Sequence, residues 1–282
     1  MWTHPQWQHN FFPSKTAQTQ HLGFYSQIYS TVEGNTSFYA LPNQQTVERW
    51  REQVSDKFKF CFKVPQSISH QLMLKHADAE MAEFITRFEP LINNNQIGQI
   101  LLQLPPFFSA QQLNDLAQFL TAYSELPFAI EVRHPDFFNK QQSEKEFNQL
   151  LIAHNANRVL MDSRPVHSQI PNTEAIIDAQ KKKPKVPVHL IATADKPMVR
   201  FIGRSKLEDS LPFIQPWLKH FKTWLEQGKT PYLFIHTADN AQVHQLAQLW
   251  LDELKKHLGY YVYPDKLMQT IVHNQSQQSS LF

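Results

Sequence analysis

The sequence predicts an α/β fold built on a parallel sheet, a TIM-type barrel in which helices follow the strands. Three observations support this prediction. Short apolar runs alternate with amphipathic stretches along most of the chain, which is the pattern of successive βα units. About seven or eight such units fit into 282 residues as one domain. Each predicted strand also becomes polar at its C-terminal end, where TIM barrels carry their active sites.

The predicted strands are the short apolar runs of this alternation. They are Thr31–Asn35, Lys59–Val64, Gln99–Leu104, Phe128–Val132, Arg158–Met161, Met198–Ile202 and Tyr232–His236. The predicted helices are Gln44–Val54, Ala77–Ile92, Ser109–Tyr123, Ser143–His154, Leu211–Gln227 and Ala241–Leu258. In the last helix Val243, Leu246, Trp250 and Leu254 recur at helical spacing, which indicates a stripe facing the core.

Residues 1–273 are expected to form a single domain, and residues 274–282 a flexible tail of low complexity. Within the domain, the proline-rich segment Ser163–Lys196 is interpreted as a long loop. It carries a run of lysines over residues 181–185. Such a run is most simply a solvated surface, and contact with phosphate is the alternative.

Composition excludes several classes of protein. The net charge of +2 is too small to indicate nucleic-acid binding by itself, although a local basic patch is compatible with it. The only cysteine, Cys61, excludes intrachain disulfides and cysteine zinc sites and suits a reducing cytoplasm. The six glycines are too scattered for a dinucleotide fingerprint or a phosphate loop. No signal peptide or membrane span is recognisable, and no cofactor is expected.

The strand-end residues form the candidate site. Because side chains alternate along a strand, residues two apart share a face. The phase of the strand at 128–132 directs Glu131 and Arg133 toward the barrel axis. Applied to every strand, the same rule directs inward Glu33, Asn35, Lys63, Gln103, Glu131, Arg133, Asp162, Arg200, Arg204 and His236.

Each of these residues also has a structural interpretation. Glu131 and Arg133 could simply pair with each other, with Lys63 as their neighbour. Asp162 could cap the segment that follows it, and His236 could be a hydrogen-bonded residue of the rim. His134 precedes Pro135, which holds the backbone extended and could turn the imidazole outward.

An anionic ligand fits this set of residues better than a metal. The carboxylates and imidazoles present could ligate a metal, but the interspersed lysine and arginines compete for the carboxylates. No metal site is therefore predicted. The excess of cations favours phosphate, phosphodiester or carboxylate as the ligand. Glu131 or Glu33 beside Lys63 could then act as general base or acid.

Several segments in their order resemble a known family. VEGNTSFYALP, TVERW, FKFCFKVP with ISH, ILLQLPP, EVRHPDFF and RFIGR resemble the YecE-like family, a domain of unknown function, over about residues 2–258. The resemblance implies a TIM barrel and gives no reaction. The matching motif residues are Glu33, Asn35, Phe38, Tyr39, Lys63, Gln103, Glu131, Arg133, His134, Pro135, Arg200, Gly203 and Arg204.

The chain departs from the family pattern at three places. Ile202 stands where the family usually has a histidine, and the last strand ends in FIHTADN rather than in asparagines. His236 could replace an amide or compensate for the histidine missing at 202. The chain also begins beyond the family's first apolar strand, so the first strand is expected to be truncated and Met1 to be an internal methionine of a longer chain.

The last five residues suggest a partner. Gln278, Leu281 and Phe282 are spaced as in the peptide by which bacterial repair and replication proteins dock on the DNA sliding clamp. The second position is Ser279, where leucine is usual. An extended tail would place the two apolar side chains in a pocket of the clamp. A chance ending, or a tail folded back on the barrel, is the alternative.

Three functions follow from these features. The first is a domain that binds or processes nucleic acid, with Trp2, Tyr39, Phe107 and Phe108 as aromatics that stack on bases. The second is a metal-independent acid–base enzyme for a small anionic metabolite. The third is a non-catalytic scaffold tethered to the sliding clamp. The first function predicts binding to DNA that weakens as the salt concentration rises, and it loses its basis if the affinity does not change.

Overall fold

Strands and helices alternate along the part of the chain that the structure describes. The structure is a computed structural model, which describes residues 1–8, 10–13 and 15–259. Within these residues the strands are β1 (Thr31–Gly34), β2 (Lys59–Lys63), β3 (Ile97–Gln103), β4 (Phe128–Glu131), β5 (Asn157–Asp162), β6 (Met198–Ile202) and β7 (Tyr232–His236). The helices are α1 (His21–Ile28), α2 (Gln44–Gln53), α3 (Asp78–Asn93), α4 (Leu113–Ala122), α5 (Gln142–Ala153), α6 (Arg164–His167), α7 (Glu174–Lys182), α8 (Leu211–Glu226) and α9 (Val243–Leu258).

The strands form one sheet in chain order, β1-β2-β3-β4-β5-β6-β7. The pairs from β1 to β5 are parallel, and their register places Glu33 beside Cys61 and Gln103 beside Glu131. Parallel neighbours need a crossover connection, which the helices between the strands supply. The predicted α/β fold of TIM-barrel type is confirmed.

Residue contacts divide the chain into two units. The first unit contains Met1, Tyr29–Leu160 and Val186–Val199. The second contains Trp2–Ile28, Met161–Lys185 and the described residues from Arg200 onward. The interpretation of residues 1–273 as a single domain stays a prediction, and the tail at 274–282 lies outside the described residues.

All seven predicted strands are present, with ends that differ from the prediction by at most two residues. The helix expected from Ser109 begins as an α-helix only at Leu113. A 3₁₀ turn, Ala110–Gln112, precedes it, and the Ser109 hydroxyl caps this turn by accepting from the backbone N–H of Gln111. Tighter turns of this kind are common at helix N-termini, so the start of the helical segment was predicted correctly and the type of its first turn was not.

The segment Ser163–Lys196 is not simply the long loop that was predicted. It contains α6 and α7. The Thr173 hydroxyl caps α7 by accepting from the backbone N–H of Ile176, and Ile176 and Ala179 are buried. The prolines on both sides and the lysines at its C-terminal end obscure this short amphipathic pattern. The lysine run begins in the last turn of α7, where the negative end of the helix dipole favours cations.

A buried ionic network lies within the first unit. Arg158 on β5 donates from Nη1 to Glu144 Oε1 on α5, at 2.9 Å, and from Nη2 to the carbonyl of Phe137, at 2.7 Å. Its guanidinium also lies 5.4 Å from the ring centre of Phe147. His189 Nδ1 is 2.5 Å from the same Glu144 oxygen. The network therefore ties residues around 189 to β5 and α5.

A histidine lies in an aromatic environment within the second unit. The imidazole of His244 on α9 stacks on Phe11 with ring centres 3.5 Å apart, and Trp7 packs against its edge at 4.4 Å. Burial lowers the pKa of His244 to about 3, and the nearby His4 acts in the same direction. His244 therefore stays neutral in the folded protein at physiological pH.

No helix among the described residues has the length and apolarity needed to cross a bilayer.

Candidate functional site

Four of the predicted residues lie buried at the C-terminal ends of β1 to β4. Glu33, Lys63, Gln103 and Glu131 each close one of these strands or stand one residue before its end. Between 1% and 8% of each residue remains exposed. These are unusual degrees of burial for lysine and glutamate, which are rarely buried unless they are paired. The strand ends of the first unit therefore gather charged groups away from bulk solvent, as the sequence predicts.

Glu131 holds Arg133 in a fixed orientation. The Nε and Nη2 groups of Arg133 donate to the same oxygen, Glu131 Oε1, at 3.1 and 2.8 Å. Glu131 is almost fully buried, whereas the side chain of Arg133 is 18% exposed. Within the described residues, Nη1 of Arg133 makes no hydrogen bond. The two residues do pair, as the structural interpretation proposed, yet part of the guanidinium remains able to donate to a ligand.

Lys63 lies beside an amide and an aromatic ring. Its ammonium group donates to Gln103 Oε1 at 3.0 Å and lies 5.6 Å from the ring centre of Phe38. The backbone is fixed at the same point, because the hydroxyl of Ser37 donates to the carbonyl of Lys63 at 2.7 Å. Lys63 and Gln103 therefore form one hydrogen-bonded pair across β2 and β3.

The predicted residues at and after the end of β1 have different environments in the structure. Asn35 donates from Nδ2 to Glu33 Oε1 at 2.8 Å, so these two predicted residues lie together. Tyr39 follows a short 3₁₀ turn, Thr36–Phe38, and its side chain is largely in solvent. Of the predicted stacking aromatics, Tyr39 and Phe107 are exposed. Phe108 is fully buried, so the expectation that it stacks on a ligand was wrong.

His70 belongs with the strand-end group, by which we mean Glu33, Lys63, Gln103, Glu131 and Arg133, although it was not among the candidate residues. It lies on a π-helical turn, Ser67–Gln71, that follows β2, and its Nδ1 is 2.9 Å from the hydroxyl of Ser69. Its ring packs edge-on against Phe38 at 5.2 Å. Single π turns are frequent at functional sites. The segment ISH does occur in the family resemblance, but a loop position has no strand periodicity to indicate where its side chain points.

The electrostatics of His70 show which charges surround it. Burial lowers the pKa of the imidazole, and the positive charges of Arg133 and Lys63 lower it further. The carboxylate of Glu131 acts in the opposite direction without outweighing them. The imidazole is therefore neutral near pH 7 and can accept a proton or a hydrogen bond. Both cations and one carboxylate of the strand-end group act on this one ring.

The structure gives His134 a local backbone role. Its Nδ1 accepts from the backbone N–H of Asp136 at 3.3 Å and so caps the turn Pro135–Phe138. The carboxylate of Asp136 in turn accepts from the backbone N–H of Ala110 at 3.1 Å. The ring is partly exposed. This arrangement agrees with an imidazole turned by the following proline, while ligand binding by His134 stays a prediction.

In the second unit, Asp162 at the end of β5 is saturated by hydrogen bonds. Its Oδ1 accepts from the backbone N–H and Nε of Arg164, and its Oδ2 accepts from Nη2 of Arg164 and Nε1 of Trp217. Asp162 has no exposed surface. The capping role considered from the sequence is therefore present. Direct contact with a ligand stays a prediction, and it would require one of these bonds to break.

The other predicted residues of the second unit lie on β6, on β7 and in the loop after β6. Arg200 is buried on β6, and His236 ends β7 half-buried. The backbone N–H of Gly203 donates to the carbonyl of His236 at 2.8 Å. Arg204 approaches Asp209, with Nη2 and Oδ2 3.8 Å apart. Ligand contacts of all three residues stay predictions.

Two further predictions concern a metal and the C-terminal tail. Among the described residues, no three or more His, Cys, Asp or Glu side chains are grouped so that they could hold a metal ion. Gln278, Leu281 and Phe282, the predicted clamp-binding residues, lie outside the described residues.

Comparisons with known proteins agree with the resemblance seen in the sequence. Residues 1–267 match the family model described as "Protein of unknown function DUF72". The chain is 45% identical over 258 residues to the UPF0759 protein YecE of Escherichia coli K12, covering 91% of each chain. It is 26% identical over 259 residues to the UPF0759 protein YunF of Bacillus subtilis, covering 89% of this chain and 79% of that protein.

Solved structures of the same family share the fold. The crystal structure of a DUF72 family protein from Thermotoga maritima matches with a TM-score of 0.68 at 20% identity, covering 90% of this chain and 96% of that one. A DUF72 family protein from Enterococcus faecalis matches with a TM-score of 0.66 at 21% identity, covering 84% and 92%. At these identities the likeness concerns the fold alone.

Proposed function

The chain belongs to the DUF72 family, and on that premise we propose that it binds a phosphate-bearing ligand, nucleic acid foremost, at the ends of β1 to β4. One observation carries the proposal. Buried Glu131 orients Arg133 while the Nη1 group of that guanidinium keeps its hydrogen-bonding capacity. A guanidinium fixed in this way loses little conformational entropy when it binds an anion, and its geometry suits phosphate.

Lys63 and His70 complete the site. Lys63 is a second buried cation at the same strand ends, and neutral His70 can hydrogen-bond to a ligand without adding charge. Glu131 and Glu33 restrict which anions enter, because a ligand must present its charge to Arg133 and Lys63 rather than to the carboxylates. This requirement favours a small, directional group such as a phosphodiester.

Exposed aromatic rings favour nucleic acid among phosphate-bearing ligands. Tyr39 is 75% exposed and Phe107 is 63% exposed. These rings lie on the segments that directly follow β1 and β3, the strands that carry Glu33 and Gln103. Exposed rings beside a backbone-binding cation are the arrangement by which proteins bind single strands, with bases stacking on the rings.

Replacement of Arg133 by glutamine is expected to weaken binding of a fluorescent single-stranded oligonucleotide by about tenfold or more, because a hydrogen bond to a charged group contributes about 1.5–3 kcal/mol. With Lys63 and Arg133 both on phosphates, the logarithm of affinity should fall with log[salt] at a slope of about −1.4, and at about −0.7 in the variant. Fluorescence anisotropy at several salt concentrations measures both quantities.

Two further variants separate the site from general effects. Arg51→Gln removes a partly exposed arginine on α2 that pairs with Glu52, and it should leave affinity and slope unchanged. Tyr39→Ala removes a largely exposed ring, so folding should persist while stacking of about 1–3 kcal/mol per base is lost. Equal affinities for the wild type, Arg133→Gln and Tyr39→Ala, or an affinity independent of salt, would remove the basis of the proposal.

A second candidate function is metal-independent acid–base chemistry on a small anionic metabolite. The neutral imidazole of His70 favours it, because a general base must be unprotonated near the working pH. Glu131 or Glu33 would be the alternative bases, with Lys63 and Arg133 binding the anion. A thermal-shift screen of phosphorylated and carboxylated metabolites in which none raises Tm would count against this function.

We propose separately that the C-terminal tail tethers the protein to the DNA sliding clamp in the cytoplasm. Gln278, Leu281 and Phe282 would make the contact. If the tethered protein catalyses no reaction, it acts as a scaffold. The full chain is expected to bind the clamp of its own organism with micromolar affinity, about −8 kcal/mol, and a chain lacking Leu281 and Phe282 is not. Surface plasmon resonance on the immobilised clamp measures both. Equal binding by the two chains would exclude the tether.

A further inference from the structure

A cleft of about 310 Å³ opens beside the strand-end group in the first unit. Residues 37–41, which follow β1, and residues 65–67, which follow β2, form two of its walls. Helix α3 supplies Glu80 and Glu83 to the lining. The volume is at the lower end of the range for small-molecule sites. The cleft is therefore large enough for one planar heterocycle and too small for a folded partner.

This cleft shares structure with the strand-end group. Ser37 lines the cleft, and its hydroxyl donates to the carbonyl of Lys63. Phe38 also lines it, and the same ring lies over the ammonium of Lys63 and against the edge of His70. A ligand in the cleft would consequently be separated from Lys63 by one aromatic side chain. One molecule could occupy the cleft and also reach the cations.

Glu80 gives the cleft its chemical preference. Its Oε2 atom is buried and has no hydrogen-bond partner among the described residues. Glu83, one turn further along α3, approaches Arg87 instead, with Oε1 and Nη2 3.4 Å apart. A buried carboxylate oxygen without a donor is unfavourable. Glu80 stands in the first turn of α3, where the helix dipole offsets part of that cost. A ligand N–H in the cleft would satisfy the remaining acceptor.

Aromatic walls and an unpartnered carboxylate acceptor together define the ligand. Phe38 and Tyr39 offer ring surfaces to a flat group, and Glu80 accepts from an amine. A glutamate accepts from the N4 amino group of cytosine, whereas uracil presents a carbonyl oxygen at the same position. We propose that the cleft binds an amino-bearing nucleobase, with cytosine as the reference case, of the nucleotide whose phosphate contacts Arg133. This assignment rests on the proposed function.

The test compares CMP with UMP, whose bases differ at C4, the position that Glu80 would recognise, and at the adjacent N3, which carries a hydrogen only in UMP. The wild-type protein is expected to bind CMP about tenfold more tightly than UMP, within the range of a base-specific contact. Glu80→Gln should bring the ratio close to one, because an amide can both accept from the amine and donate to the carbonyl. Isothermal titration calorimetry measures both ligands on each variant.

The control is Glu89→Gln, which removes one charge from the same helix at a residue that does not line the cleft. It should keep the preference for CMP, and its Tm shows the effect of losing a charge on α3. A CMP preference that persists in Glu80→Gln, or equal binding of the two nucleotides by the wild type, would overturn the cleft assignment.

The Arg133→Gln variant distinguishes failure of the cleft assignment from failure of the proposed function. If both nucleotides bind equally and both lose affinity in Arg133→Gln, phosphate binding stands and only the base assignment falls. If neither nucleotide binds the wild-type protein and oligonucleotide binding is also absent, both proposals fail.

Discussion

Replacing Arg158 by methionine is expected to lower the free energy of unfolding by about 3–5 kcal/mol. The guanidinium and the Glu144 carboxylate are both almost fully buried. Burial by itself raises the pKa of Glu144, but hydrogen bonds from His189, from the Lys140 N–H and from Arg158 outweigh it and lower that pKa. Without Arg158 the carboxylate of Glu144 keeps its negative charge in a buried site. An uncompensated buried charge strongly destabilises the folded state. Urea unfolding monitored by circular dichroism measures the loss.

A double variant tests this reason directly. Arg158→Met with Glu144→Met removes both charges, so it should be more stable than Arg158→Met alone although it carries one more substitution. The exposed pair of Lys182 and Asp178 on α7 provides the control, because Asp178→Asn should change stability by no more than about 0.5 kcal/mol. If Arg158→Met costs less than about 1 kcal/mol, or if the double variant is the less stable, the network has been assigned the wrong role.

His244 is expected to make the protein acid-sensitive. Its pKa is about 3 in the folded state and about 6.5 when unfolded. Between these values the unfolded chain binds one more proton, so stability is complete above about pH 6.5 and falls by about 1.4 kcal/mol per unit as pH drops toward 3. His244→Phe keeps a ring against Phe11 and removes this titration. From pH 7 to pH 5 the wild type should lose about 2 kcal/mol more than the variant.

The control for this prediction is His257→Gln, at an exposed position near the end of α9. The imidazole of His257 is in solvent before and after unfolding, so this variant should follow the wild type. Urea midpoints at pH 7, 6 and 5 for the three proteins provide the comparison. Parallel losses in the wild type and His244→Phe would show that other groups govern the acid response.

The strand ends show how far the sequence could predict the site. Glu131 and Arg133 were placed on one face by the two-residue period of β4, and the structure joins them through two hydrogen bonds. The same period led to Lys63 and Gln103, which also prove to be bonded to each other. These predictions succeed because the period of a strand is a local property, fixed by backbone geometry.

His70 and Phe108 show where sequence patterns stop. His70 lies on a π turn, a geometry with no recognisable spacing, so its approach to Phe38 was not predictable. Phe107 and Phe108 are adjacent in the sequence, yet one is exposed and the other fully buried. Outside regular elements neighbouring side chains have no fixed phase, and the packing of the folded chain decides which of them meets solvent.

The sequence by itself determined the order of strands and helices and the polar side chains at the strand ends, because both depend on short-range periodicity and on where apolar runs stop. Only the tertiary structure decided which of those side chains are held by hydrogen bonds from distant parts of the chain. Asp162 and Glu131 look alike in the sequence, each two residues before an arginine. Trp217, 55 residues from Asp162 in the chain, donates to Oδ2 of Asp162, a bond that no local sequence pattern could indicate. Such saturation depends on groups far apart in the chain, and they meet only when the core has packed.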